Sequence, residues 1–125
     1  MNENELARIV FKKGLKLHRS LGPGLLESVC EECLEYELLK HGLKVDRQKL
    51  IPIKYDGIEL KSGFRADLII NDKILLELKS VKGIESIHLA QTITYLKMTN
   101  LKLGLLINFN VSLFKNGVHR LANGL

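Results

Sequence analysis

The chain lacks most of the features that assign a protein to a functional class directly. No apolar run approaches the roughly 20 residues that a membrane-spanning helix requires. The first residues, MNENELARIVFKKG, are polar and lack the apolar core of a secretory signal peptide. There is no internal repeat, low-complexity tract or linker, so a length of 125 residues favours one domain over residues 1–125. We therefore expect a cytoplasmic protein that does not enter a membrane.

Cysteine and histidine are too few and too scattered to predict a metal centre. Cys30 and Cys33 are the only two cysteines, and their C-x-x-C spacing has no second pair to complete a zinc site. The pair lies within a helical pattern, so we interpret both as small side chains packed inward. The four histidines show neither H-x-x-H nor H-E-x-x-H spacing. The net charge of +5 is compatible with a polyanionic partner but does not establish one.

Hydrophobic periodicity predicts three helices. Apolar residues recur at helical spacing over residues 3–21 and 23–42, and Pro23 is expected to open the second helix. The stripe that the second helix is expected to bury consists of Leu26, Cys30, Cys33, Leu34 and Leu38. A third helix is predicted within residues 83–100.

Strands are predicted between the second and third helices and after the third. An Asp56-Gly57 turn interrupts one β-rich segment, and FRADLII and KILLELKS follow as two strands around Asn71-Asp72. LKLGLLINF is typical of a fully buried strand, and the tail LFKNGVHRL predicts a short hairpin over Asn116-Gly117. The order α-α-β-β-β-α-β with a β tail predicts an α/β fold in which helices flank one central mixed sheet.

Three charged residues interrupt the most apolar segment of the chain, GFRADLIINDKILLELKS at residues 63–80. Unpaired charge is costly in such surroundings, so Asp67, Glu77 and Lys79 need a physical reason. Strand side chains alternate between faces. One face is expected to be entirely apolar, with Ala66, Leu68, Ile70, Ile74, Leu76 and Leu78. The three charges then share the other face with Arg65.

The register of these two strands decides whether the carboxylates meet. A two-residue turn would pair Ile70 with Lys73 and direct Asp67 and Glu77 to opposite faces. A three-residue loop pairs Ile70 with Ile74 and places Asp67 opposite Glu77, and we favour it because it keeps the apolar set together. Opposed carboxylates repel each other, which a divalent cation such as Mg²⁺ between them would relieve. The alternative is a salt bridge between the nearby lysine and either carboxylate on a solvated face.

The charged residues match a known motif. Asp67 followed by Glu77-Leu78-Lys79 resembles the D…E-x-K motif of the PD-(D/E)XK nuclease superfamily. Gln91-Thr-Ile-Thr-Tyr95 resembles the Q-x-x-x-Y motif of its RecB-like members. Glu27 lies in the helix before the sheet, where many members carry an acidic residue. The resemblance implies a restriction-endonuclease-like α-β-β-β-α-β core, here with an extra N-terminal helix and a C-terminal β tail.

A narrower resemblance covers nearly the whole chain. Gly24-Leu-Leu-Glu27-Ser-Val-Cys30 is similar to the motif that names the small bacterial and archaeal GxxExxY proteins, which belong to that superfamily. The chain departs from the motif at Cys30, where those proteins carry tyrosine. The resemblance implies a prokaryotic protein.

The resemblance also implies roles for individual residues. Asp67 and Glu77 would hold Mg²⁺ or Mn²⁺, and Glu27 would act as an outer-sphere or second-metal ligand. The metal would serve as Lewis acid, template and source of a more acidic water. Lys79 would orient or activate the attacking water.

Four further residues complete the expected site. Gln91 and Tyr95 lie one turn apart on one helix face and would reach the site or the phosphate of the substrate. Arg65 would either steer phosphate or pair with a carboxylate. His18 would either contact phosphate or pack as a capping or core-edge residue.

Two functions of different classes are consistent with these residues. The first is a metal-dependent nuclease that hydrolyses phosphodiester bonds in DNA or RNA, with DNA the favoured partner. The second is a catalytically weak or inactive nucleic-acid-binding or assembly module. The intact charged set favours the nuclease, because a degenerate site is expected to lose costly charges. So small a domain has little surface for target selection, and we expect a homodimer or a protein partner.

Overall fold

Nine elements make up the fold, and their order agrees with the prediction as far as β4. The computed structural model describes residues 1–125. The helices are α1 (Glu3–Leu21), α2 (Glu27–Lys40) and α3 (Ser86–Thr99). The strands are β1 (Val45–Tyr55), β2 (Ile58–Ile70), β3 (Ile74–Lys79), β4 (Leu103–Asn108) and β5 (Val118–Ala122), with a short 3₁₀ helix (Phe114–Gly117) before β5.

The five strands form one mixed sheet in the order β1-β2-β3-β4-β5. Strands β3 and β4 run parallel, and every other neighbouring pair is antiparallel. A parallel pair needs a crossover connection, which α3 supplies between β3 and β4. The expected central mixed sheet flanked by helices is confirmed.

The helices cover the two faces of the sheet unequally. The larger apolar cluster joins α1 and α2 to one face through residues such as Leu6, Val10, Leu34, Leu38, Leu68 and Ile70. The smaller cluster lies under α3, where Leu96 packs with Ile69 and Leu75. Strand β4 is buried along its whole length, as its continuous apolar sequence predicts. None of the helices combines the length and the apolar character needed to cross a membrane.

Helix α2 begins later than the sequence predicts. Pro23 does not open it, because Gly24 has a φ of 87° and Leu26, the N-cap, is extended. The left-handed backbone at Gly24 ends any helical turn that starts at Pro23. Leu26 is 72% exposed, so its predicted place in the buried stripe is wrong. Cys30 is buried and has no disulfide partner, and burial raises the pKa of its thiol to about 11.

The β1–β2 ribbon turns at the predicted Asp56-Gly57 pair, where both residues have positive φ, as a tight two-residue hairpin requires. One prediction about this ribbon is wrong. Ala66 does not join Leu68 in the larger cluster but packs in the smaller one under α3. Side chains therefore change face between these two positions. The change occurs at the level of Gln48 on β1, whose φ of 52° interrupts the regular pleat.

The C-terminal tail forms a strand but no hairpin of its own. Residues Phe114–Gly117 are a 3₁₀ helix, and β5 pairs antiparallel with β4. The predicted hairpin does not form because Phe114 packs in the core. Its ring centroid lies 5.3 Å from that of Phe11 and 5.6 Å from that of Phe109. A buried aromatic side chain stabilises the fold more than a local turn preference does.

Candidate active site

The β2–β3 loop sets the register that brings the two carboxylates together. Ile70 pairs with Ile74 and Leu68 with Leu76, which confirms the three-residue loop over residues 71–73. Asn71 and Asp72 both have positive φ, a conformation that their short polar side chains tolerate. Continued by one position, this register places Asp67 opposite Glu77.

Each carboxylate is held by the backbone of the opposite strand. The Asp67 N–H donates to Glu77 Oε1 over 3.3 Å, and the Leu78 N–H donates to Asp67 Oδ2 over 2.8 Å. These two contacts hold the carboxyl groups next to each other across the β2–β3 pair.

Glu77 is the most strongly perturbed acid of the site. Its side chain is buried, and burial, followed by the negative charge of Asp67, raises its pKa to about 8. Neither carboxylate is in an ion pair. A cation bound between the two carboxylates would offset their mutual repulsion and the cost of burying the negative charge of Glu77. Two adjacent carboxylates with hard oxygen donors therefore fit Mg²⁺ or Mn²⁺.

Lys79 ends β3 beside this pair. Its positive charge lowers the pKa of Glu77, although less than burial and Asp67 raise it. Lys79 forms no ion pair with either carboxylate. The salt-bridge alternative therefore does not describe this structure, and the ammonium is available to a water or a phosphate.

Helix α3 packs Tyr95 against β2 on the sheet face of the smaller cluster. Its ring stacks on Phe64 with centroids 3.6 Å apart and planes 7° from parallel. Burial, and then the charges of Glu77 and Asp67, raise the pKa of its hydroxyl. Gln91 lies one turn earlier, is exposed and makes no side-chain hydrogen bond within the chain. Its role at the site stays a prediction.

Glu27 lies on the same rim but not within the carboxylate pair. It is exposed at the start of α2, where Oε2 accepts a hydrogen bond from the Ser80 N–H over 3.3 Å. The Ser80 hydroxyl donates to the Leu25 carbonyl over 2.6 Å. No three histidine, cysteine, aspartate or glutamate side chains are grouped so that they could hold a metal ion. The predicted ligand role of Glu27 stays a prediction, while its contact here ties α2 to the end of β3.

The two remaining candidates occupy different surroundings. Arg65 is exposed and donates to the Gln48 carbonyl over 3.2 Å, and it pairs with no carboxylate. His18 is buried in α1, where Nε2 lies 2.7 Å from the Val111 carbonyl. This geometry supports the packing role for His18 rather than a phosphate contact, whereas phosphate steering by Arg65 stays a prediction.

Sequence reasoning missed a chain of polar contacts that leads away from Asp67 through Gln48, Glu31 and Arg47. The Gln48 side chain amide donates to Asp67 Oδ1 over 3.2 Å and to Glu31 Oε1 over 2.6 Å. Glu31 is 7% exposed, and its Oε2 lies 3.3 Å from Nε of Arg47. The one available signal was the position of Glu31 one helical turn after Glu27, on the same face of α2.

The comparisons with known proteins agree with this geometry. A family model described as the PD-(D/E)XK nuclease superfamily matches residues 4–121. The chain belongs to the PD-(D/E)XK nuclease superfamily. Searches of curated proteins and of solved structures find no match. Asp67 lies on β2, and Glu77 and Lys79 lie on the adjacent strand β3; their assignment to the D…E-x-K motif stays a prediction.

Proposed function

We propose that this chain is a metal-dependent nuclease that hydrolyses phosphodiester bonds in DNA or RNA. The observation that carries the proposal is the opposed pair of Asp67 and Glu77, which are brought together with no cationic partner beside a lysine that pairs with nothing. Structural ion pairs join opposite charges, whereas here two adjacent carboxyl groups and a neighbouring ammonium form no ion pair in a partly buried place. Such an arrangement is typical of functional sites.

Each residue has a distinct task in this proposal. Asp67 and Glu77 would hold Mg²⁺ or Mn²⁺, which supplies Lewis acidity and a more acidic bound water when present. Lys79 would orient the attacking water or contact the scissile phosphate, because its ammonium is free of ion pairs. Tyr95 would position a phosphate oxygen from the α3 side, where its hydroxyl lies in the field of both carboxylates.

The finer assignments extend the same proposal. We favour DNA as the substrate, a cytoplasmic location in a prokaryotic cell, and membership of the GxxExxY proteins within the superfamily. Glu27 would act on a second metal or through water, since it lies at the end of β3 rather than between the carboxylates. A second copy or a protein partner would add the surface that target selection requires.

Parallel measurements on three proteins test the proposal. We expect the wild type to bind Mn²⁺ by calorimetry and to cleave nucleic acid when Mg²⁺ or Mn²⁺ is added. Asp67→Ala should abolish both, because it removes a ligand. Lys79→Ala should abolish cleavage but keep metal binding, because an ammonium does not ligate a cation and its loss removes a repulsive charge.

The difference between Asp67→Ala and Lys79→Ala distinguishes a metal site from a structural arrangement. A merely structural arrangement predicts that both variants lose thermal stability to a similar extent and that the wild type binds no divalent ion at millimolar concentration. That result would refute the nuclease proposal and leave a nucleic-acid-binding or assembly module.

A further inference from the structure

Gln48 is the one residue of β1 with a positive φ. Its φ is 52°, yet the flanking residues pair normally with β2, Arg47 with Leu68 and Lys49 with Ala66. A glutamine in the left-handed region is strained. Glycine avoids this strain because it has no Cβ, and asparagine offsets it because its short side chain can hydrogen-bond to the nearby backbone. Strain of this kind persists where the surroundings fix the residue, and it concentrates at functional sites.

The surroundings of Gln48 fix its side chain and its backbone. The side-chain amide nitrogen, Nε2, donates to both Glu31 Oε1, over 2.6 Å, and Asp67 Oδ1, over 3.2 Å. Since both acceptors are carboxylates, the amide has one favourable orientation, with its nitrogen toward Asp67. Arg65 donates to the Gln48 carbonyl. Glu31 is itself held by Arg47 at 3.3 Å.

We infer that Gln48 is a positioning residue that holds the Asp67 carboxylate in its metal-binding orientation, with Glu31 fixing the Gln48 amide. This inference rests on the proposed function. Asp67 Oδ2 is already held by the Leu78 N–H, so the Gln48 contact on Oδ1 fixes the second oxygen and with it the plane of the carboxylate. Each oxygen keeps a further lone pair for a cation.

The donor type explains why this neighbour suits a metal ligand. A neutral amide holds the Asp67 carboxylate and leaves its negative charge available to a cation. An arginine at the same place would neutralise that charge and repel the cation. Groups that hydrogen-bond to a ligating carboxylate commonly contribute 10- to 100-fold to metal affinity. The strained backbone at Gln48 lowers the stability of the fold, so a role in metal binding gives a reason for this conformation that stability does not.

Gln48→Gly tests the inference because it separates affinity from stability. Glycine adopts a φ of 52° readily, so the variant removes the bridging amide and the strain together. We expect Mn²⁺ affinity of the full chain, measured by calorimetry, to fall about 10- to 100-fold. The melting temperature without metal should stay at or above that of the wild type. Gln48→Leu, which keeps the strain and loses the amide, should lose similar affinity and melt lower.

Asn100→Gly is the matched control. Asn100 also has a left-handed backbone, with φ 58°, but it ends α3 outside the site, and its replacement should leave Mn²⁺ affinity unchanged. The inference is overturned if Gln48→Gly binds Mn²⁺ as tightly as the wild type, or if Asn100→Gly weakens binding equally. In both cases the wild type still binds metal and the nuclease proposal stands. A wild type that neither binds Mn²⁺ nor cleaves nucleic acid would overturn the inference and the nuclease proposal together.

Discussion

At the scale of single residues, Glu77 couples proton binding to folding. Its pKa is raised from 4.5 to about 8, chiefly by burial and then by Asp67. Between these two values the folded chain holds a proton that the unfolded chain has lost. The free energy of unfolding should therefore fall as pH rises from about 4.5 to 8, and this contribution should level off outside that window. The total contribution should be a few kcal/mol, at about 1.36 kcal/mol for each unit of pKa difference.

Urea unfolding at several pH values in the presence of a chelator measures this effect. Glu77→Gln removes the titrating group, so the difference between wild type and variant isolates it from histidines that titrate nearby in pH. Saturating Mg²⁺ should flatten the wild-type curve, because a bound cation favours the ionised form. A pH dependence that is unchanged in Glu77→Gln would mean that Glu77 is not the group responsible.

The residues of the site were predictable to different degrees. Asp67, Glu77 and Lys79 stand out because charge in a strongly apolar segment is costly. Gln48 gives no such signal, since its role depends on a left-handed backbone and on contacts with two carboxylates from distant segments. Glu31 gives only a weak signal, its position one helical turn after Glu27, because buried and exposed glutamates look alike in a helical pattern.

At the scale of elements, the pattern of apolar residues predicted the β2–β3 register correctly. The three-residue loop was favoured because it keeps apolar residues of both strands on one face, and Leu68, Ile70, Ile74 and Leu76 do share the larger cluster. Asn71 and Asp72 tolerate the left-handed backbone that this loop adopts. The start of α2 was misjudged because Pro23 is compatible with a first helical turn, while the conformation of Gly24 depends on how α1 and α2 pack. The tail was misjudged because Phe114 gains more by burial in the core than the Asn116-Gly117 pair gains from a hairpin turn.

The docking of α1 depends on a glycine in its interior. A Cβ on Gly14 would clash with Cζ of Phe114, so Gly14→Ala forces the ring or the helix to move. We expect a loss of about 1–3 kcal/mol in the free energy of unfolding. The loss should appear even though alanine favours a helix by roughly 1 kcal/mol over glycine.

Urea unfolding checks this expectation, with Gly83→Ala as the control. A Cβ on Gly83 would meet no heavy atom within 4 Å, and the backbone there is not left-handed, so this replacement should be close to neutral. A Gly14→Ala protein as stable as the wild type would show that Phe114 can leave its place without cost and that α1 docks loosely.

At the scale of the whole molecule, the net charge of +5 does not say where a polyanion would bind. The cations differ in their surroundings. Lys82 is exposed in the β3–α3 loop, three residues beyond Lys79, and forms no ion pair. Lys12 is equally exposed and unpaired, but it lies on α1, which packs on the sheet face opposite α3. Removing either lysine lowers the net charge by one.

Nucleic-acid binding should distinguish these two lysines. In an Asp67→Ala background, which prevents cleavage, we expect Lys82→Ala to weaken DNA binding and to reduce the slope of log affinity against log salt concentration by about 0.9, the value for one lost phosphate contact on duplex DNA. Lys12→Ala should leave that slope unchanged. Fluorescence anisotropy at several salt concentrations measures both. Equal reductions in the two variants would mean that nucleic acid is attracted by the net charge of the protein rather than bound at the rim around Lys79. A diffuse attraction depends on total charge. Counterion release depends on the phosphates that are actually contacted.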